Sequence, residues 1–179
     1  MNLHFPNYKN QELVEIKVAL FKAQTLIPSK AITLWTKAHK PHNYSHTEIV
    51  FSSAIYFGHD VESQTIKFKD KPDTTEEVDY YIIKIPKELE QTAFQFAQDH
   101  DGAKYDWLGI TMTQFINLGM NSTYKWFCSE IVVRLLQIMG FYPLFEEQAH
   151  KISPYGLHKR LDLLAQKFPQ YVRFQKGDY

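Results

Sequence analysis

The stretch SHTEIVF, residues 45–51, decides how the chain is read. Alternation places His46, Glu48 and Val50 on one face and Thr47, Ile49 and Phe51 on the other, which is the period of a strand. Two strand steps separate the Cα atoms of His46 and Glu48 by about 6.6 Å, so a carboxylate sits close enough to bias an imidazole. Taken alone, the same pattern also describes the exposed polar face of an edge strand.

Working outward, SAIYFGHDVESQTIKF (53–68) is rich in β-branched and aromatic residues and is broken by Ser, Gly and Asp. A hairpin centred near Ser52 and Ser53 would bring His59 roughly opposite His46, with Asp60 and Glu62 just beyond. VDYYIIKI (78–85) follows the polar link KDKPDTTEE, completing an antiparallel run of three or four strands. Upstream, LVEIKVALF (13–21) alternates Val14, Ile16, Val18 and Leu20 against Leu13, Glu15, Lys17 and Ala19, and is read as another strand. After Ser29, a suitable N-cap, AITLWTKA (31–38) has the spacing of a short helix.

Downstream the period changes to that of helices. PKELEQTAFQFAQDHDG (86–102) opens with Pro86, carries acids in its first turn and stops near Gly102. Helical stretches follow at YDWLGITMTQFINLG (105–119), at CSEIVVRLLQIMG (128–140) and, after a Pro turn, at ISPYGLHKRLDLLAQ (152–166). The expected class is α+β, a single domain over 1–179 in which an antiparallel meander sheet is flanked by helices.

Composition narrows the function classes. Twenty basic residues balance twenty acidic ones, so no overall field draws the chain to nucleic acid or anionic lipid. The longest apolar run, IVVRLLQIMGFYPLF, contains Arg134 and falls short of the roughly 20 apolar residues of a membrane span. MNLHFPNYKN has no apolar core of a signal peptide, and a single cysteine forms no internal disulfide, so synthesis in a reducing cytosol is expected. No GxSxG elbow and no GxxxxGK[ST] loop occurs. His39, His42 and His46 fall within eight residues but lack a recognised ligand frame, so no metal or cofactor is expected. A zinc module losing its metal on replacement of His39 or His42 is the rival reading of that cluster.

The one cysteine, Cys128, opens a helical pattern in which Ile131, Val132, Leu135 and Met139 share its face. Such a residue is commonly a small buried apolar side chain. It also stands where the positive end of a helix dipole and free backbone N–H groups favour a thiolate and an oxyanion. A nucleophilic thiol needs a base, and among eight histidines His46 stands out because SHTEIVF has the pattern of a strand. His4, His100, His150 and His158 read as solvated residues of loops and polar faces.

In this order the segments 16–53, GAKYDWLGI, WFCSEIVVRLL and ISPYGL resemble the permuted NlpC/P60, papain-like cysteine hydrolases, particularly small versions from bacteriophage genomes. The resemblance covers most of the chain. It implies a circularly permuted papain-like fold in which the histidine strand precedes the cysteine helix, a change of order that a site defined by folded positions tolerates. It implies Cys128 as nucleophile and His46 as general base, with Glu48 the first choice for the orienting residue and Glu62 or His59 in reserve. Tyr105 in GAKYDW resembles a family tyrosine beside the cysteine, where it would donate to a substrate oxygen; core packing is the alternative. The chain departs from some relatives at YFGHDVES, where they carry a glycine-rich segment. The implied substrate is a peptide amide, as in bacterial cell-wall stem peptides, or an acyl ester as in lipid acyl hydrolases and acyltransferases. Trp107, Trp126 and Phe127 could line its groove. Phage structural proteins and a place in the virion are the implied partners and location, and an inactive binding scaffold on the same fold is the alternative.

Overall fold

The computed structural model describes residues 8–22, 44–60, 62–72, 77–105, 125–126, 128–141, 144 and 148–177. Six strands form an antiparallel sheet: β1 (Leu13–Lys22), β2 (Tyr44–Val50), β3 (Tyr56–Asp60), β4 (Thr65–Lys69), β5 (Val78–Pro86) and β8 (Val172–Gln175). Two short strands, β6 (Lys104–Tyr105) and β7 (Lys125–Trp126), extend the β4 edge, and the order is β7-β6-β4-β3-β2-β1-β5-β8. The α-helices among the described residues are α1 (Lys87–Asp99), α2 (Cys128–Ile138) and α3 (Pro154–Lys167). The α+β class is therefore as expected. Consecutive strands are neighbours only from β1 to β4, because β5 returns to the far side of β1, pairing Ile16 with Ile83 and Val18 with Tyr81. β1 is central, and its own alternation serves two neighbours at once.

One sheet face carries the main core. Ile16, Val18 and Leu20 join Ile49, Phe51, Phe57, Ile66, Tyr81, Ile83 and Ile85 against Ala93 and Ala97 of α1, Ile131, Val132 and Leu135 of α2, and Leu157, Leu161 and Leu164 of α3. A smaller cluster of Ala19, Phe21 and Val50 packs with Tyr56, Val78 and Tyr80 on alternate positions of the same strands. His46 and Glu48 pair in register with Phe21 and Ala19, and so belong to that second set.

The alternation read from SHTEIVF stops one residue before it begins. Phe21 pairs with His46 but Lys22 pairs with Tyr44, which leaves Ser45 as an extra residue in β2. This bulge resets the parity, as bulges do where a strand must re-aim a side chain. Tyr44 therefore turns into the main core, its hydroxyl donating to Asp79 at 2.6 Å, while His46 does not.

The β2–β3 hairpin turns where expected. Phe51 N donates to Ile55 O, and the three-residue loop ends at Ala54 with φ 64°. This is the αL position that such loops need. Glu90 of α1 fixes the turn by accepting from Ser52 N at 2.6 Å and Ser52 Oγ at 2.8 Å. α1 begins after Pro86 with Glu88 and Glu90 in its first turn, and α3 begins at Pro154 with Ser153 Oγ accepting from Gly156 N at 3.1 Å. Both starts match their sequence signals. The short helix expected at 31–38 and the helical stretch expected beyond Tyr105 lie outside the described residues. Among the described residues, no helix is long and apolar enough to cross a membrane.

Candidate active site

Three of the residues singled out from sequence come together. Cys128 is the first residue of α2, 7% exposed and part of the main core. Its thiol hydrogen-bonds to His46. His46 Nε2 donates to Glu48 Oε1 at 3.0 Å, which leaves Nδ1 as the nitrogen available to sulfur. The imidazole keeps 23% of its side-chain surface open while the carboxylate keeps 2%. Thiol, ring and carboxylate thus run in series from a helix start to a strand.

The electrostatics of the series follow from its charges. Burial alone would pull the His46 pKa down, but attraction to the Cys128 thiolate, the hydrogen bond to it and the Glu48 carboxylate together raise it to about 10. At neutral pH the ring is then an imidazolium, set between the Cys128 sulfur and the Glu48 carboxylate. Burial pushes Glu48 upward, and its hydrogen bond and charge attraction to His46, joined by Lys69, more than offset this, so its pKa lies below the usual glutamate value. The carboxylate stays ionised in a site that water barely reaches.

Of the three side chains considered for the orienting position, Glu48 is the one hydrogen-bonded to the ring. Glu62 is exposed in the β3–β4 turn. His59 is buried, with its ring centroid 6.3 Å from that of His46 in an edge-on arrangement. Burial, with the positive charges of His46 and Lys69, lowers its pKa to about 4, so it stands beside the site as a neutral imidazole.

Sequence reasoning missed two residues. Lys69, the last of β4, is 5% exposed in its side chain and donates to Glu48 Oε1 at 2.5 Å and to His59 O at 2.7 Å. A lysine that opens the polar link KDKPDTTEE reads as solvated, and its burial depends on contacts from two other strands. Gly58, in β3, faces Glu48 so closely that a Cβ there would stand 2.6 Å from Glu48 Cγ. Its φ is not in the left-handed region, so the glycine serves space and not backbone freedom. An isolated glycine within a strand is the available signal for such a close approach.

Other expectations fare differently. His158, read as solvated, is 6% exposed, and its Nδ1 lies 2.9 Å from the Tyr81 hydroxyl. It falls on the inner face of α3 beside Leu157 and Leu161, where burial demands the partner that Tyr81 supplies. His100 is half-buried and stacks on Phe96 at a centroid distance of 4.0 Å. Tyr105 lies in β6, paired in parallel with Trp126 of β7. Its side chain lies outside what is described, as do those of Trp107, Trp126 and Phe127, and all of His4, His39 and His42. Among the described residues no group of three His, Cys, Asp or Glu side chains could hold a metal ion.

No family model, no curated protein and no solved structure matches the chain.

Proposed function

We propose that the protein is a cysteine hydrolase that cleaves an amide or an acyl ester through Cys128, His46 and Glu48. The observation that carries this reading is the unbroken hydrogen-bonded series from the Cys128 thiol through His46 to Glu48, with the sulfur at a helix start. The resemblance of the motifs around these residues to the permuted NlpC/P60 hydrolases, and with it a permuted papain-like fold, is consistent with the series. The α+β architecture accommodates that fold.

The chemistry follows from the charges. The Cys128 thiolate attacks the substrate carbonyl carbon, forming a C–S bond and an oxyanion. Backbone N–H groups at the start of α2 would donate to that charge. His46, as imidazolium, then gives its proton to the leaving amine or alkoxide as the C–N or C–O bond breaks, which leaves an acyl thioester. A water molecule next loses a proton to His46 and attacks the thioester, releasing the carboxylic acid and restoring the thiolate–imidazolium pair. Glu48 takes no proton and keeps the ring turned toward sulfur throughout.

Because the chain has one cysteine, thiol alkylation reports on Cys128 alone. Iodoacetamide should label it well below pH 8, and His46→Ala should slow labelling markedly at pH 6–7. With a p-nitrophenyl ester, wild type should accumulate an acyl-enzyme visible by intact mass. Cys128→Ala should abolish this species, and His46→Ala should lower turnover by about 100-fold or more. A thiol that labels only in the ordinary alkaline range, indifferent to His46, would leave a folded scaffold without catalysis.

A further inference from the structure

Glu48 Oε1 receives two cationic donors at once, His46 Nε2 at 3.0 Å and Lys69 Nζ at 2.5 Å, whereas the buried Oε2 makes no hydrogen bond among the described residues. All the directed contacts of the carboxylate therefore converge on the oxygen that faces the base. Lys69 is held in turn by His59 O at 2.7 Å, so the ammonium is fixed from β3 as well as from β2. On the side of β3, Gly58 lets the Glu48 side chain come closer than any residue with a Cβ would allow. An ammonium taken out of water is unfavourable unless an anion compensates it, and here that anion is the one that orients the ring.

A carboxylate 2% exposed tends to take up a proton, and once neutral it no longer favours an imidazolium beside it. A cation on the same oxygen opposes that protonation and also weakens Oε1 as an acceptor for the His46 proton, which then stays on the ring. We infer that Lys69 is a positioning residue of this site, keeping Glu48 ionised with Oε1 turned to His46 and so setting the lowest pH at which the Cys128–His46 pair remains charged. The inference rests on the Cys–His–Glu reading above.

The charged and titratable groups around Lys69 bear this out. Glu48 faces it from β2, with His46 and then Cys128 of α2 beyond that carboxylate, while His59 and Tyr56, the register partner of Lys69, flank it from β3. On β4 itself, Lys67 turns instead to Asp60, at 3.0 Å. His59, held neutral above about pH 4, and Tyr56, whose hydroxyl is pushed upward by burial and by its contact with Tyr80, carry no charge over the range that matters. Glu48 is thus the anion through which the ammonium acts.

The test is the pH profile of iodoacetamide alkylation of Cys128 in the full chain, for wild type, Lys69→Met and Lys69→Gln, each also in a Glu48→Gln background. Lys69→Gln retains a donor without the charge and serves if the methionine variant fails to fold. Removing the charge should move the acid limb of the profile upward by about one pH unit, since an opposite charge at this range shifts a carboxyl by roughly 1–3 units. In the Glu48→Gln background the same change should produce no upward shift. A limb that stays in place or moves down when Lys69 is replaced, even with a lowered melting temperature, overturns the inference and makes Lys69 a structural brace. An equal upward shift in both backgrounds also overturns it, because the charge would then act without Glu48. If wild type shows no His46-dependent limb at all, the hydrolase reading itself fails and takes this inference with it.

Discussion

Replacing Gly58 with alanine introduces one methyl group at the point where β3 passes Glu48. The new Cβ would lie 2.6 Å from Glu48 Cγ, 3.0 Å from Cδ and 3.1 Å from Cβ. Carbon atoms pack comfortably at about 3.5–4.0 Å, so Glu48 must retreat by roughly 0.9 Å. It cannot do so freely, because Oε1 is pinned by His46 Nε2 and Lys69 Nζ together. A retreat of that size stretches the 3.0 Å bond to His46 toward the length at which a hydrogen bond no longer exists. Overpacking of this kind costs about 1–3 kcal/mol of stability, and a misplacement near 1 Å in a catalytic group costs about 100-fold in rate. Urea denaturation would read the first effect, and the Cys128 alkylation rate at pH 7 together with ester turnover would read the second. Gly102→Ala is the control: its φ is 81° and a Cβ there meets nothing within 4 Å, so it should cost about 1 kcal/mol and leave alkylation untouched. A Gly58→Ala protein with wild-type stability and wild-type alkylation would refute the reasoning, since Glu48 would then have space to spare or no part in holding His46.

Two further outcomes can be checked on the same protein. His46 has its pKa raised from 6.5 to about 10 on folding, so its contribution to stability should be complete below about pH 6.5 and lost as pH rises through about 10. The urea midpoint of wild type minus that of His46→Gln should shrink across this window, and a difference independent of pH would contradict the charged pair. Tyr81→Phe keeps the buried ring but removes the hydroxyl that meets His158 Nδ1, and should cost about 0.5–1.5 kcal/mol through the loss of a buried hydrogen bond. Alkylation of Cys128 should be unchanged, and an unaltered melting curve would show that His158 finds another partner.

Local order was readable wherever one residue type is tied to one backbone state. Pro86 and the acids of the first turn mark the start of α1, the Pro turn at Pro154 that of α3, and the pattern of 13–21 gives β1 with its faces correctly sorted. The hairpin near Ser52 was readable too, and through it the approach of His59 to His46. The strand β8 was not, because VRFQ is short and has a single buried residue, Val172. Its pairing with β5 supplies what its own pattern lacks.

The candidate site divides in the same way. The HxE spacing in a strand and a cysteine at a helix start are local facts, and the sequence by itself determined that a carboxylate would share the face of His46 and that Cys128 would begin α2. Tertiary structure alone decided that these two pieces meet, that Lys69 is buried on Glu48, that Gly58 is a matter of space and that His158 lies inside. Each of those depends on which strands become neighbours and in what register, and a one-residue bulge at Ser45 is enough to turn Tyr44 into the core while leaving His46 for the thiol. Charge and volume can be counted from a chain, but a buried ion pair exists only once separate strands bring its members within about 4 Å of each other and away from water.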